Sequence, residues 1–352
     1  MRKNIFLFRF IASSLFSAYV FLLFPQAGTQ LKRTSAENWQ EAQAECVMEL
    51  HSRRVLYESN GDTRLPMAST TKILTCATVL DVCKNLQEAI TIPTEAVGIE
   101  GSSVYLKAGE IYTVEDLLYG LMLRSGNDCA TALALKFGGN LEKFSAKMNE
   151  TAQKAGALAS NFVNPHGLPC EGHYTTARDL SAITSYAMHN TEFCKIVSTQ
   201  YYAPRHWKNK NKMLTLYEGG IGVKTGYTKQ AGRCLVSAAK RGDMSLICTV
   251  LNCPTTYERS TKLLDDAFEA YDYVKILSAG DTLPLENAKN NVLGVVKNDY
   301  FYPLLKEERD LLEIKTTPLK NMLRRKKSEE IVGQFEIYLA KRLLFSGNLY
   351  KL

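Results

Sequence analysis

Gly232-Arg233-Cys234-Leu235-Val236-Ser237-Ala238-Ala239-Lys240, then Arg241-Gly242-Asp243, then Met244-Ser245-Leu246-Ile247-Cys248-Thr249-Val250-Leu251-Asn252, is the stretch that decides the fold. Two apolar runs of strand length flank a polar turn containing glycine, which is the pattern of paired strands. Upstream, residues 44–57 alternate and read as another strand, entering a turn at Asn60-Gly61-Asp62. Between these strand regions the spacing becomes helical. Residues 69–84 start from Ser69-Thr70-Thr71 as a cap, and Thr113-Val114-Glu115-Asp116 opens a helix whose apolar face is Leu117, Leu118, Leu121 and Met122. A further helix begins at Asn127-Asp128, and others cover 141–156, 177–189 and 191–199. Residues 257–274 return to helix after the strands. Strands, a mainly helical block, strands again and a closing helix predict one mixed α/β domain.

Residues 275–352 differ, with short apolar runs separated by charges, Gly and Pro. They predict a small, mostly β second domain, although Arg309 to Arg325 leaves room for a helix. At 352 residues, one large domain and one small one fit the length.

Hydrophobic content of 45% and charged content of 22% are ordinary for a globular chain and argue against extended disorder. The net charge of +7 suits contact with anionic polymers or lipid headgroups, and equally a solvated surface with surplus lysine. The densest basic run, Arg324-Arg325-Lys326-Lys327, is short and adjoins Glu329 and Glu330, which argues against nucleic acid as a partner. At the N-terminus, Arg2, Lys3 and Arg9 precede an apolar stretch from Phe10 to Phe24. That is the layout of an export signal, and it is shorter than the ~20 apolar residues of a comfortable spanning helix. Residues 1–30 are therefore expected to be a signal peptide, or an anchor left uncut, that places the chain outside the cytoplasmic membrane. Nine cysteines occur without any CxxC pair, which argues against zinc. Several sit inside apolar runs, as Cys76 does, and read as small buried hydrophobes.

Three short elements carry chemistry: Ser69-Thr70-Thr71-Lys72, Ser125-Gly126-Asn127 and Lys224-Thr225-Gly226. Spacing of three on a helix puts Ser69 and Lys72 on one face, about one turn apart. A serine hydroxyl needs a base to become a nucleophile, and a lysine whose pKa is depressed can be that base. A capping serine followed by a solvated lysine would look the same. A second Ser-x-x-Lys, Ser237 to Lys240, lies in a predicted strand, where odd spacing points the two side chains to opposite faces. Ser125-Gly126-Asn127 falls between helices, either projecting polar groups into a cleft or capping the next helix. Its decoy, Ser346-Gly347-Asn348, lies near the chain end in a predicted turn. Lys224 and Thr225 at the start of a strand can hold a substrate carboxylate. Gly226 lets a substrate backbone approach the strand edge, and a turn boundary with a solvated lysine is the alternative.

Taken together and in this order, the three elements resemble the serine penicillin-recognising enzymes. Leu65-Pro66-Met67-Ala68 before Ser69, Glu100-Gly101-Ser102-Ser103, Leu117 to Met122, Asn164-Pro165-His166-Gly167-Leu168 and Gly222 to Thr228 extend the likeness to the low-molecular-weight D-alanyl-D-alanine carboxypeptidases, over residues 38–272. The resemblance implies a domain of the serine β-lactamase/transpeptidase type, an antiparallel sheet with a helical subdomain, followed by a small β-rich domain. It implies that Ser69 is acylated by the penultimate D-alanine of a peptidoglycan stem pentapeptide and that Lys72 accepts the proton. Ser125 and Asn127 would relay protons and hold the substrate amide. Lys224 and Thr225, with Gly226, would bind the terminal carboxylate, and the backbone N–H groups of Ser69 and Tyr227 would form the oxyanion hole. β-Lactams would be covalent inhibitors, and neither metal nor organic cofactor is implied. Two departures stand out. Where relatives place an arginine near the start of the last helix of this domain, this chain has Thr256, with Arg259 nearby. No amphipathic helix follows the last predicted strand, so membrane association would use the N-terminal segment. A class A β-lactamase needs a Glu-x-x-Asn, and none occurs in the chain. An endopeptidase or transpeptidase on the same site is the other alternative.

Overall fold

The computed structural model describes residues 42–286, 292–319 and 331–352. The expected export segment, residues 1–30, and the basic run at 324–327 lie outside them. A central antiparallel sheet has five strands: β1 (Ala44–Glu49), β2 (Val55–Ser59), β3 (Gly220–Thr228), β4 (Gly232–Arg241) and β5 (Met244–Leu251), in the order β2-β1-β5-β4-β3. Residues 44–57, read as one strand, are in fact the first two. They are joined by a turn in which the Glu49 carboxylate accepts from the backbone N–H groups of His51 and Ser52 and Arg53 takes a positive φ. The turn Arg241-Gly242-Asp243 joins β4 to β5, as expected.

Alternation on these strands serves two cores. Cys46, Met48, Cys234, Val236 and Ala238 face the helical block, whereas Val47, Leu235, Ala239, Leu246 and Cys248 face the opposite way. The helical block is α1 (Lys72–Val82), α2 (Val114–Tyr119), α3 (Asn127–Gly138), α4 (Leu141–Lys154), α5 (Ala177–Met188) and α6 (Thr191–Ser198). On the other face lies α7 (Thr256–Ala270), shorter than the expected 257–274, because Tyr271 caps it in extended conformation and residues 272–277 enter a strand. Thr113 and Asp116 form a reciprocal capping box on α2, a feature that stabilises a helix start by about 1 kcal/mol. Ser69-Thr70-Thr71 is not a side-chain cap for α1. It belongs to a 3-10 turn, Ala68–Thr71, in which the Thr70 and Thr71 hydroxyls donate back to the carbonyls of Met67 and Ala68.

A separate β-rich unit follows. Strands β6 (Asp272–Leu277), β7 (Thr282–Pro284), β8 (Leu293–Val295), β9 (Tyr300–Leu304), β10 (Leu312–Pro318), β11 (Ile331–Leu339) and β12 (Arg342–Tyr350) form a β6–β9 pair and a five-stranded sheet ordered β7-β8-β12-β11-β10. Of the helix allowed for Arg309 to Arg325, the first residues end a 3-10 turn, Lys306–Leu311, and 312–318 form strand β10, since Leu312, Ile314 and Thr316 alternate with exposed Glu313, Lys315 and Thr317; residues 320–325 lie outside the described residues. Ser346-Gly347-Asn348 lies inside β12 rather than in a turn. At the seam between the units, the Arg54 guanidinium donates to both oxygens of Glu308 at 2.9 and 2.6 Å and to the Pro303 carbonyl, between the rings of Tyr271 and Tyr302.

No disulfide joins the nine cysteines, all of which lie in described segments, and six of them are buried. Burial pushes the Cys46 thiol up to about 12, as expected of a packing residue and not of a reactive one.

Candidate active site

The site forms where three segments meet: the turn before α1, the turn before α3 and the outer edge of β3. Lys72 begins α1 and is fully buried. Its Nζ lies 3.0 Å from Ser69 Oγ, 2.7 Å from Asn127 Oδ1 and 2.7 Å from the His166 carbonyl. No carboxylate touches it. Burial first, and then the charge of Lys224, hold its pKa well below the ordinary lysine range.

Each partner is held in turn. Asn127 donates from its backbone N–H to the Ser102 carbonyl at 2.7 Å and from Nδ2 to the Glu100 carbonyl at 2.5 Å, so its Oδ1 is left to face Lys72. The His166 carbonyl belongs to Asn164-Pro165-His166-Gly167-Leu168. There, Asn164 Oδ1 accepts from the Gly167 N–H while Nδ2 donates to the Leu168 carbonyl. Thr75, one helical turn along α1 from Lys72, donates to the Pro165 carbonyl at 2.6 Å. Nδ1 of the His166 ring accepts from the Leu168 N–H at 3.2 Å, and burial with the nearby Lys72 charge lowers the ring's pKa to about 3. The residue pattern Asn-Pro-x-Gly is a turn signal that could have pointed to this loop, though not to the carbonyl it presents.

Ser125 is buried and left-handed, with φ 65°, at the end of the π-helical turn Gly120–Arg124. Neither it nor Asn127 caps α3 with its side chain, since Gly126 takes the N-cap position and Asn127 is the first residue of the helix. The Ser125 hydroxyl forms no hydrogen bond to Ser69, Lys72 or Lys224.

Lys224 lies in the middle of β3, not at its start, and is 1% exposed. Its Nζ donates to the Thr225 carbonyl at 2.9 Å, and burial, then the field of Lys210, bring its pKa down to about 7. Strand β3 is the last in the sheet, so its outer backbone edge is open to an extended peptide. Gly226 also has a reason within the fold. A Cβ there would stand 3.1 Å from Ser69 N and 3.0 Å from the Met67 carbonyl, so the glycine lets the strand approach the Ser69 turn itself. The Tyr227 side chain is 66% exposed beyond it.

Thr256 is buried at the head of α7. Arg259 does not supply the missing arginine, because Nε donates to Glu45 at 2.8 Å and a second guanidinium nitrogen closes a tight ion pair with the same carboxylate. Instead, Lys210, which no sequence pattern singled out, brings a cation to the rim, 3.4 Å from Ser102 Oγ. Ser237 is fully buried in β4 while Lys240 is exposed, which separates the decoy pair. Among the described residues no three His, Cys, Asp or Glu side chains are grouped to hold a metal ion.

A model of the D-alanyl-D-alanine carboxypeptidase family, peptidase S11, matches residues 31–255. The D-alanyl-D-alanine carboxypeptidase DacF of Bacillus subtilis is 31% identical over 301 residues, covering 81% of this chain and 77% of that protein. DacC of Escherichia coli is 34% identical, covering 73% and 68%. Among solved structures, penicillin binding protein 5 of Haemophilus influenzae superposes with a TM-score of 0.73 at 28% identity, covering 90% of this chain and 98% of that one. A Streptomyces K15 DD-transpeptidase variant superposes with a TM-score of 0.61 at 36% identity, covering 65% and 98%.

Proposed function

The chain belongs to the D-alanyl-D-alanine carboxypeptidase family, and on that premise we propose that Ser69 is its nucleophile, Lys72 its general base, and Lys224 with Thr225 its carboxylate anchor. It is a serine hydrolase acting on peptidoglycan peptides, and therefore outside the cytoplasm, and it is a target of β-lactams.

The observation that carries the assignment is the surroundings of Lys72. A neutral amine has two N–H groups and one lone pair. The two acceptors at 2.7 Å, Asn127 Oδ1 and the His166 carbonyl, take the two N–H groups. The lone pair is left for Ser69 Oγ at 3.0 Å. The depressed pKa makes that neutral form easier to reach. Ser69 Oγ then attacks the carbonyl carbon of the penultimate D-alanine, and its proton passes to Lys72. The C–N bond breaks, and the departing D-alanine takes that proton, leaving an ester on Ser69. Water attacks the ester and gives a proton to Lys72, which returns it to Ser69 Oγ as the ester C–O bond breaks and the shortened peptide leaves. The developing oxyanion is served by backbone N–H groups, for which Ser69 and Tyr227 are the candidates. Ser125, two residues before Asn127 in the turn ahead of α3, relays protons between Lys72 and the leaving nitrogen. For the carboxylate, Lys210 at the rim adds a second positive field in place of an arginine at position 256.

The Phe10–Phe24 segment is proposed to direct export and, where uncut, to hold the protein at the outer face of the membrane. Carbonate extraction of membranes from cells making the full chain, compared with a chain starting at residue 31, tests this; equal solubility of the two would remove the anchor.

The catalytic assignment is tested by intact mass. Wild type incubated with benzylpenicillin gains one covalent adduct that maps to the peptide bearing Ser69, and it releases free D-alanine from a pentapeptide. Ser69→Ala does neither. Labelling that persists in Ser69→Ala would overturn the assignment, and rapid turnover of the penicillin would move the reading to a β-lactamase. The likeness to a DD-transpeptidase favours one second reading, in which an amine competes with water for the acyl-enzyme. A cross-linked product formed with an added acceptor peptide decides it.

A further inference from the structure

Ser125 stands on a turn that its own sequence does not hold. Gly120–Arg124 winds as a single π-helical turn, and Ser125 leaves it at φ 65°, two conformations that need support from their surroundings. The Gly120 carbonyl accepts from the N–H groups of both Ser125 and Gly126, the latter at 3.1 Å, so the place of Gly120 fixes the place of Ser125.

Gly120 is fixed in turn by a short antiparallel hairpin, in which Tyr201-Tyr202 pairs with Trp207-Lys208. The hairpin is anchored to α2 on one side. The Tyr202 ring stacks on Tyr119 with centroids 3.9 Å apart, and the Tyr202 hydroxyl and the Arg205 guanidinium donate to the two oxygens of Asp116 at 2.9 and 2.6 Å. On the other side it is anchored to the π-helical turn. Arg124 donates to the Lys208 carbonyl, and the Lys210 N–H to the Leu123 carbonyl, both at 3.1 Å. Between these anchors the Trp207 ring lies against Gly120. A Cβ on Gly120 would stand 3.1 and 3.2 Å from two atoms of that ring and 2.6 Å from Cys129 Sγ on α3. Gly120 is thus gripped between the tryptophan and the helix that follows Ser125, with no room for a side chain.

We infer that Trp207 is a positioning residue: its ring sets Gly120 and, through the Gly120 carbonyl, the place of the Ser125 hydroxyl. This rests on the proton relay proposed above for Ser125. A step that needs that proton should then feel the tryptophan, and a step that does not should be spared. An amide nitrogen must be protonated to depart, whereas a thioester with the same acyl group expels a stable thiolate without a proton.

Two substrates separate this role from plain stability: a pentapeptide ending in D-Ala-D-Ala, and a thioester carrying the same acyl group. The reading is the ratio of kcat/KM for the amide to kcat/KM for the thioester. Both are taken on one preparation, so the folded fraction cancels. Ser125→Ala lowers the ratio roughly a hundredfold, the size of one general acid. Trp207→Ala lowers it about tenfold, as expected when a catalytic group is displaced by a fraction of an ångström. Gly120→Ala, which disturbs the same link with Trp207 in place, lowers it likewise. Arg54→Met, which weakens the fold at the seam between the two units, keeps the ratio within about twofold of wild type. An unchanged ratio in Trp207→Ala, or an equal fall in Arg54→Met, overturns the inference and leaves the relay standing. A Ser125→Ala enzyme that loses amide and thioester alike overturns the relay, and the inference with it.

Discussion

Cations that are buried or half-buried occur in two regions of this molecule, and they are treated in opposite ways. Behind the sheet and at the seam between the two units, Arg259 is paired with Glu45 and Arg54 with both oxygens of Glu308. In the cleft, Lys72 and Lys224 are buried against neutral oxygens only. A guanidinium locked to a carboxylate keeps its charge and its place, and both arginines have their pKa raised. An amine buried without a counter-ion is destabilised in its charged form, so it can give up a proton or bind an incoming anion. The chain therefore spends arginine on architecture and lysine on chemistry, and the absence of an arginine at position 256 follows the same division.

Removing the amine at the centre of the cleft should have the largest effect. Lys72→Ala is expected to lower the rate of penicillin acylation about a thousandfold, followed by intact mass over hours. A rate within tenfold of wild type would mean that another group takes the Ser69 proton.

Lys224→Met sharpens the contrast by splitting activity from stability. Without the charged anchor, kcat/KM for pentapeptide falls roughly a hundredfold. The sign of the stability change is fixed by the pKa, about 7 in the folded protein against 10.5 for a free lysine. Between these values the unfolded chain binds the extra proton, so the burden of burying Lys224 is full below pH 7 and fades as the pH rises toward 10. The methionine variant should therefore melt higher than wild type at pH 6, with the difference closing by pH 10. The same titration predicts that in wild type KM for pentapeptide rises above pH 7 while kcat changes less.

Arg54→Met attacks the other member of the comparison. It takes the guanidinium from the Pro303 carbonyl and from Glu308, which keeps only the Leu305 N–H, and should cost on the order of 3 kcal/mol in chemical denaturation, with the acylation rate of the folded protein unchanged. The smallest effect is expected for Ser237→Ala. Its hydroxyl makes one long hydrogen bond, 3.4 Å to the Cys248 carbonyl, so stability should move by about 1 kcal/mol or less and kcat/KM not at all.

Much of this could be read in the sequence, where the signal is local. The capping box at Thr113 and Asp116, the turn at Arg241-Gly242-Asp243 and the single face shared by Ser69 and Lys72 depend on neighbours within a few residues. What escaped depends on distant partners. The break between β1 and β2 contains no Gly or Pro, because the Glu49 carboxylate stands in for turn residues and Arg53 accepts a positive φ. The capture of Arg259 by Glu45 joins the two ends of a domain, and the lysine at the rim comes from a loop with no pattern of its own. Strand β10 was legible and was obscured by its charges, since Leu312, Ile314 and Thr316 have the period of two. Gly226 is legible as a point of close approach, and the neighbour visible in the fold is the Ser69 turn, which the local sequence could not name.

That closeness has a counterpart. Gly167, at φ 89°, has its Cβ position 1.9 Å from the Ala68 carbonyl, so the Ser69 turn is gripped by one glycine from the sheet and another from the Asn164 loop. Any side chain at either position would press on the turn that carries Ser69. Substitution is therefore closed at the floor of this cleft. A change that leaves that turn in place has to fall on the rim, where Lys210 stands exposed.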